Sequence, residues 1–416
     1  MSRIHVHSEI GSLEGVILHP PGPEVENMTP KNAERALYSD ILNLAVARKE
    51  YNQLECTLQQ LTRTYRVQDL LRDVLKSHQV REKIIKKTCY NEGHPELVES
   101  LLEKEPNELS RLLIQGVALD RTNLTNFMSK ENYALKPLHN FFFTRDAAVA
   151  LYDRILIGKM ANKVRDREAL IMESIFDYHP QLRAQTIVPE DPSGRSEQVT
   201  LEGGDILVAR EDIILTGIGS RSSTQGVDFL IDLLKERKTP QHLIVQELPH
   251  TPESFIHLDM VFTFLDRDAC MVYAPLILRP NKYETVHIQI DNGKVSSIRT
   301  VDNIPHILSG LGMDLKPSFC GGNSDSISME REQWHSGANF FAVGPGKVIG
   351  YNRNIHTLEN LHKNGFEIIK SRDFLDGKYK LEEYDRYVLT IDGSELSRGG
   401  GGARCMTMPF RRKSLT

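Results

Sequence analysis

The chain has 416 residues, of which 40% are hydrophobic and 26% charged, and these are ordinary values for a globular protein with an ample core. The formal net charge of -5 argues against a nucleic-acid partner. No apolar run is long enough to span a bilayer, and the first residues lack the apolar stretch of a signal peptide. The five cysteines are irregularly spaced and include no CxxC pair, so we expect a reducing compartment, the cytoplasm.

A first strand is predicted at residues 13–21, LEGVILHPP. From about residue 32 the chain is rich in Leu, Glu, Lys and Arg at helical spacing, which predicts a helical block. One of its helices begins at Pro106 and ends at Gly116, because proline favours the first helical position and glycine the residue after the last. We expect a helical insertion at 32–124 within a domain made of 1–31 and 125–416.

Beyond residue 135 the sequence changes to short β-branched and aromatic runs joined by tight turns. Four similar hairpins are predicted, which turn near 152–154, 210–212, 266–268 and 344–346. Several are followed by a helical stretch, and this recurrence favours repeated modules around a common centre over a doubly wound sheet. The first strand and the C-terminal CMTMPF segment would then form a fifth module, where both chain ends meet.

Three acidic or basic side chains stand out in the strand-rich part. In HLDMVFT, His257 and Asp259 are two residues apart on a predicted strand, so their side chains would leave the same face. The alternative is an ordinary solvated face. Asp146 ends the aromatic run of FFFTRDA, where a buried charge needs a partner and an exposed one would be a strand-end turn residue.

Glycines mark two further segments. In LEGGD, Glu202 precedes two glycines, a composition typical of a bulge or of close backbone approach, with a tight turn as the alternative. Four glycines, 399–402, come shortly before Cys405. They indicate either a flexible tail or a loop whose backbone takes conformations that a Cβ forbids, with Cys405 held at its end as a nucleophile.

One reaction uses all of these residues. A guanidinium group is planar and charged, so its pocket needs carboxylates in fork geometry, which Asp146 and Asp259 would supply. Cys405 would attack the guanidinium carbon as a thiolate. His257 would protonate the leaving amine and then activate water, and Glu202 would orient His257 and favour its charged form.

The chain resembles the arginine deiminase family. The resemblance extends over nearly the whole sequence, through IHVHSEIG, PLHNFFFTRD, LEGGD, HLDMVFT, REQWHSGANFFAVGPGKVIGYNRN and GSELSRGGGGARCMTMP in this order. It implies a five-module pseudo-symmetric α/β propeller with a helical-bundle insertion. It also implies hydrolysis of L-arginine to L-citrulline and ammonia through a covalent thiouronium intermediate, without metal or organic cofactor.

The resemblance gives Cys405, His257, Glu202, Asp146 and Asp259 the same roles as the chemistry does. It adds residues that would contact the substrate. Arg165 and Arg221 would bind the α-carboxylate, Asn140 and Phe143 would line the pocket, and the main chain around Gly399 would pack against the substrate. From the residues alone, Arg165 could equally be a surface arginine, Arg221 a loop cap and Phe143 a core residue.

The sequence departs from the family pattern at three places. Gly400 stands where many relatives have an arginine, Ala147 where proline is common, and residues 36–42, ALYSDIL, are less acidic than usual. These differences concern loop shape and pocket charge and leave the catalytic set complete.

Two alternatives remain open. The substrate could be another guanidino compound, such as agmatine or a methylated arginine, although two arginines facing an α-carboxylate do not suit agmatine. The protein could also bind arginine without catalysis. In every case we expect a small-molecule partner, no nucleic acid, no membrane, and a homo-oligomer.

Overall fold

A computed structural model describes residues 3–29, 40–189, 199–323 and 325–415. Within these ranges the chain has a mixed α/β fold of small sheets flanked by helices. The strands are β1 (Leu13–Leu18), β2 (Arg63–Arg66), β3 (Val117–Ala118), β4 (Tyr133–Leu135), β5 (Ala148–Leu151), β6 (Arg154–Ile157), β7 (Thr186–Ile187), β8 (Ile206–Arg210), β9 (Ile213–Ile218), β10 (Gln241–Glu247), β11 (Phe262–Asp266), β12 (Ala269–Val272), β13 (Thr285–Asp291), β14 (Lys294–Val301), β15 (Lys316–Phe319), β16 (Phe341–Gly344), β17 (Lys347–Tyr351), β18 (Glu367–Lys370), β19 (Tyr387–Ile391) and β20 (Met408–Arg412).

The helices connect these strands or lie in the segment between β1 and β5. They are α1 (Pro23–Glu26), α2 (Leu44–Leu61), α3 (Val67–Val74), α4 (His78–Asn91), α5 (Val98–Leu102), α6 (Pro106–Gln115), α7 (Leu124–Met128), α8 (Thr144–Ala147), α9 (Asp166–Tyr178), α10 (Thr224–Lys235), α11 (Ala274–Ile277), α12 (Ile304–Gly310), α13 (Ser326–Trp334), α14 (Ile355–Lys363) and α15 (Ser371–Leu375). None of the helices in the described ranges combines the length and apolar character that a membrane crossing needs.

The four predicted hairpins are confirmed. Strands β5–β6, β8–β9, β11–β12 and β16–β17 each pair antiparallel. In each case the second strand of the hairpin also pairs in parallel with a strand that follows one or more helices. The arrangement of these units around a common centre remains a prediction.

The two ends of the chain meet in one sheet, as the sequence predicted. β1 pairs antiparallel with β20, and after helix α2 the chain returns as β2, parallel to β1. This three-stranded sheet therefore repeats the hairpin, helix and parallel-strand order of the others. Its closing strand begins three residues after Cys405, so the pairing fixes where that cysteine lies.

Among the described residues, the predicted helical block contains helices α2 to α6 but also the short strands β2 and β3, which sequence reasoning did not foresee, and α7 begins at its last residue. Side chains of α3 and α6 share one hydrophobic cluster with residues of β5, β6 and α9. The proposed boundary at 31/32 lies outside the described residues, as do positions 36–39 of the ALYSDIL segment. The division into two domains stays a prediction.

The placement of His257 and Asp259 on a strand is wrong. His257 immediately precedes a 3-10 turn, Leu258–Met260, and strand β11 begins only at Phe262. The N–H of Leu258 donates to Oδ1 of Asp205 at 2.8 Å, so the chain turns before it enters the sheet. Because polar and apolar residues alternate there, the sequence pattern extended the predicted strand to residues 257–259. The backbone of this segment instead forms a turn that is held by the buried carboxylate of Asp205.

Candidate active site

An imidazole–carboxylate pair lies in the interior. Nε2 of His257 is 2.9 Å from Oε2 of Glu202, and neither side chain is accessible to solvent. Glu202 immediately precedes the 3-10 turn Gly203–Asp205, which is the tight turn that the sequence offered as the alternative to a bulge. Two short turns, rather than strands, therefore bring the acid and the base together.

The pair is charged at neutral pH. Burial by itself lowers the pKa of His257, but the charge of Asp146, the hydrogen bond to Glu202 and the charge of Asp205 together raise this pKa above its usual value. Burial opposes ionisation of Glu202, yet His257, Arg221 and Arg165 lower the pKa of Glu202. The imidazolium can therefore act as a proton donor.

Asp146 lies beside this pair, within the short helix α8. Its Oδ1 is 3.7 Å from Nδ1 of His257, and neither atom has a hydrogen-bond partner among the described residues. Its Oδ2 accepts a hydrogen bond from Nη1 of Arg165 at 2.7 Å. Asp146 thus holds a guanidinium group of the chain and keeps one buried acceptor free.

Arg165 is buried, although the sequence alone suggested a surface arginine as the default. Besides Asp146 it contacts Glu168, with Nη2 2.8 Å from Oε2, and the carbonyl oxygens of Asn140 and Phe143 at 3.4 and 3.5 Å. Burial opposes its charge, but the carboxylates of Glu168 and Asp146 raise the pKa of Arg165 well above its usual value. It is a permanent cation in a dry site.

Cys405 is buried next to the second aspartate. Its Sγ lies 3.8 and 3.7 Å from the two carboxylate oxygens of Asp259, and Nδ2 of Asn339 donates to Sγ at 3.2 Å. Burial, followed by the charges of Asp259 and Asp146, raises the pKa of the Cys405 thiol well above its usual range. Before substrate binds, the cysteine is therefore a neutral thiol between two carboxylates.

The chain also supplies a cation for Asp259. Nη1 of Arg404 donates to Oδ2 of Asp259 at 2.8 Å, while Nε and Nη2 of Arg404 each lie 3.0 Å from an oxygen of Glu9. All three side chains are buried. Each aspartate at the candidate site is thus paired with one arginine, which offsets the repulsion between the two carboxylates.

At two positions of the loop before Cys405 the structure requires glycine. Gly400 has φ of +86°, a left-handed conformation that favours glycine. A Cβ added to Gly401 would lie 2.5 Å from Cε1 of Phe143 and 3.0 Å from Cβ of Cys405. The glycine run is therefore a packed loop and not a flexible tail.

A cavity of about 310 Å³ adjoins the buried residues. Its lining includes Arg221, Trp334, Gly399 and Gly400. Nη1 of Arg221 is 3.9 Å from Oε1 of Glu202, so the cavity wall borders the imidazole–carboxylate pair. Cys405 does not line the cavity, because its side chain is covered by the loop that ends in it.

Asp146, Glu202 and His257 bring ligand atoms within 4.8 Å of one another, a spacing that a metal ion could use. Arg165 lies 2.7 Å from Asp146 and 3.9 Å from Glu202, and it already supplies positive charge at this place. The residue types and their neighbours fit an ion pair with a guanidinium better than a metal site.

The structure brings together Cys405, His257, Glu202, Asp146 and Asp259, which the sequence singled out. It also adds three side chains that the sequence analysis did not select: Asn339, Arg404 and Glu9. All three occur in the motifs on which the resemblance rests. The one available signal was Arg404, a charged residue directly before the candidate nucleophile, whereas Asn339 and Glu9 are recognised only from their contacts.

A buried thiol beside two carboxylates, with a charged imidazole–carboxylate pair next to them, defines a site for attack on a small cationic molecule. Solved structures with the same overall fold include an amidinotransferase of Microseira wollei, at 15% identity and a TM-score of 0.55, covering 99% of this chain and 98% of that one. Another is the N-terminal domain of ArgZ, a cyanobacterial arginine dihydrolase, at 13% identity and a TM-score of 0.53, covering 96% and 97%. The chain therefore has the mixed α/β fold of these proteins.

Sequence comparison is more specific. The family model described as arginine deiminase matches residues 34–412. The arginine deiminase of Limosilactobacillus fermentum is 31% identical over the full length of both chains, covering 100% of each. That of Bacillus thuringiensis subsp. konkukian is 32% identical, covering 99% of each. The chain belongs to the arginine deiminase family.

Proposed function

We propose that this protein hydrolyses L-arginine to L-citrulline and ammonia, with Cys405 as the nucleophile. Family membership supports an enzyme that acts on arginine. The observation that carries the proposal is the position of the Cys405 thiol, within 3.8 Å of both carboxylate oxygens of Asp259 in a buried site. Carboxylates next to a nucleophile attract a cation to it, and a guanidinium is the cation that their geometry suits.

Asp146 and Asp259 would bind the substrate guanidinium. In the structure Asp146 holds Arg165, so the substrate would replace one guanidinium by another on the same carboxylate. Such an exchange keeps every buried charge paired, which limits the cost of burying the substrate cation. Asp259 can keep Arg404 on Oδ2 while Oδ1 faces the substrate.

Bound substrate would also activate the thiol. Its positive charge offsets the carboxylates that raise the pKa of Cys405, so this pKa falls on binding. The thiol loses its proton to solvent, and the resulting thiolate attacks the guanidinium carbon to form a tetrahedral adduct. Transfer of the His257 proton to one nitrogen lets ammonia leave and gives a thiouronium group on Cys405.

Hydrolysis reverses these roles. Neutral His257 accepts a proton from water, and the resulting hydroxide attacks the thiouronium carbon. The carbon–sulfur bond of the adduct breaks as its hydroxyl group releases a proton to solvent, citrulline leaves, and the thiolate and the imidazolium are restored. Glu202 keeps the imidazole oriented and stabilises its charged form in both halves of the reaction. Every step uses groups of the chain itself.

The remaining predicted contacts fit an α-amino acid substrate. Arg221 lines the cavity, so its guanidinium can bind an α-carboxylate there. Arg165 would join it after leaving Asp146. Asn140, Phe143 and the main chain of Gly399 would line the path between the cavity and the thiol.

Four further points about the whole protein belong to the same proposal. We propose that the sheets form a five-module propeller, supported by the repeated hairpin, helix and parallel-strand order. The helical segment 32–124 would be an insertion into the catalytic domain formed by 1–31 and 125–416. All five cysteines lie in the described part of the chain and none is in a disulfide, which supports a cytoplasmic enzyme; a homo-oligomeric state is also proposed.

The test is an assay of citrulline and ammonia after incubation with L-arginine. We expect equimolar products from the wild type and from Cys270→Ala, a buried cysteine of another sheet, and none from Cys405→Ala. Agmatine and methylated arginine serve as competing substrates. If either compound is turned over faster than L-arginine, that compound is the substrate. Binding of L-arginine without formation of any product would contradict catalysis.

A further inference from the structure

Helix α2 carries a buried carboxylate that binds the loop leading to Cys405. Glu50 accepts hydrogen bonds from the N–H groups of Ser394, Glu395 and Leu396 at 2.9, 3.0 and 2.8 Å, and from the Ser394 hydroxyl. Its side chain is buried, with 3% of the residue exposed. A single carboxylate thus satisfies three consecutive backbone donors.

The neighbouring residues of α2 extend this contact to both sides of the glycine run. Gln53 donates to Oδ2 of Asp392 at 2.8 Å, and its Oε1 accepts the N–H of Asp392 at 3.0 Å. The hydroxyl of Tyr51 donates to the carbonyl oxygen of Met406 at 3.4 Å. One helix therefore holds the chain before the glycines and directly after Cys405.

The segment between these anchors forms one side of the candidate site. Ser397, Gly399 and Gly400 line the cavity, and Gly401 packs against Phe143. Glycines have no side chains, so this run is held by main-chain contacts, such as the hydrogen bond from the Tyr351 hydroxyl to the carbonyl oxygen of Gly401 at 2.9 Å, and by the residues that flank it. Glu50 makes the largest set of those contacts.

The charge of Glu50 strengthens the attachment. Backbone N–H groups that converge on a carboxylate form charge-assisted hydrogen bonds, which are about twice as strong as neutral ones. Among the described residues no basic side chain lies within ion-pair distance of Glu50. Its backbone hydrogen-bond partners lie in the loop, so the position of the loop depends on this carboxylate.

We propose that Glu50 is a positioning residue of this enzyme: its carboxylate sets the place of the loop 394–400 and thereby the binding of substrate and the access to Cys405. The inference rests on the proposed function in one respect, because it takes the cavity beside this loop as the substrate entrance. Cys405 itself is held by Asn339, which Glu50 does not contact, so substrate binding is the step that depends most on Glu50.

The experiment compares Glu50→Gln with Glu55→Gln. Glu55 is a buried carboxylate on the same helix, but it binds Arg66, at 2.5 and 2.7 Å, and not the loop. For Glu50→Gln we expect KM for L-arginine to rise about tenfold, with a change in kcat of less than about threefold, because the amide offers one acceptor oxygen to the three donors. The rate at which iodoacetamide alkylates Cys405 without substrate should rise about tenfold. Glu55→Gln should change neither quantity, whatever its melting temperature.

Equal KM and equal alkylation rates for the two variants would overturn the proposal. If Glu50→Gln does not fold, Ser394→Ala takes its place, since it removes only the hydroxyl donor, and its alkylation rate should rise by about twofold to threefold. An unchanged alkylation rate in Ser394→Ala would also contradict the proposal. Alkylation is independent of turnover, so a wild type that leaves arginine unchanged would contradict the proposed function, whereas the alkylation rates of the variants would still test the role of Glu50.

Discussion

At the scale of single residues, the site depends on keeping charges ionised away from water. Taken alone, His257 and Glu202 would each tend to be neutral when buried. Together they hold one another charged: Glu202 accepts from His257 at 2.9 Å, and Asp146 stands 3.7 Å from the other ring nitrogen. In the proposed reaction, the proton needed for release of ammonia is therefore held on His257 by its neighbours.

Glu202→Gln tests this arrangement. Glu202 raises the pKa of His257, so removal of its charge should let this pKa fall, and the imidazolium should be lost at lower pH. We expect the alkaline limb of the kcat/KM profile to move toward acid by roughly one pH unit, and kcat at pH 7 to fall roughly 100-fold. Glu332→Gln is the control, because Glu332 is a buried carboxylate bound to Thr357. An alkaline limb that stays in place in Glu202→Gln would argue against the stored proton.

At the scale of elements, the sequence was most informative where alternation and turn residues agreed. The four hairpins follow from such patterns. The same signals are present in β13 and β14, where Asn292 and Gly293 form the turn with φ of 51° and 73°, but this hairpin was missed. The sequence was sufficient to predict this hairpin, because Asp-Asn-Gly between alternating runs is a strong hairpin signal.

Other features could not be predicted from local pattern. The turn that carries His257 and Asp259 is fixed by Asp205, about fifty residues earlier in the chain, so periodicity alone continued the strand. Asn339 and Glu9 reach the site from distant segments and look like ordinary polar residues. The catalytic set was accessible because its chemistry restricts residue types, whereas the residues that support it are defined by contacts across the fold.

The glycine loop is an element whose packing can be tested. Gly401→Ala would place a Cβ 2.5 Å from the Phe143 ring, so we expect the free energy of unfolding to fall by about 1–3 kcal/mol. Gly310→Ala is the matched control, because a Cβ at that position meets no atom within 4 Å. Urea unfolding of both variants measures the difference. Equal free energies of unfolding for the two variants would mean that the loop accommodates the added methyl group without loss of stability.

At the scale of the whole molecule, the meeting of the chain ends determines how the site is held. Cys405 precedes β20, and β20 is paired with β1 at the opposite end of the sequence. The ring of Phe410 covers Gly15 and lies 5.6 Å from that of Tyr65, so it connects β20, β1 and β2. Cys405, the proposed nucleophile, is thus attached to the sheet that joins the two ends, and its position should depend on the integrity of the whole chain.

Phe410→Ala should therefore weaken the entire molecule and not one sheet. Phe410 is 6% exposed, and truncation of a buried phenylalanine costs about 3–5 kcal/mol. Trp334, the single tryptophan, lies in α13 and outside this sheet, and its fluorescence reports unfolding at a distance. We expect the urea midpoints of Trp334 fluorescence and far-UV circular dichroism to fall together in Phe410→Ala. Phe127→Ala, which truncates a ring that is 65% exposed, should leave both midpoints unchanged. If circular dichroism changes while Trp334 keeps the wild-type midpoint, the sheet of the chain ends unfolds by itself, and closure through β1 and β20 does not couple the molecule.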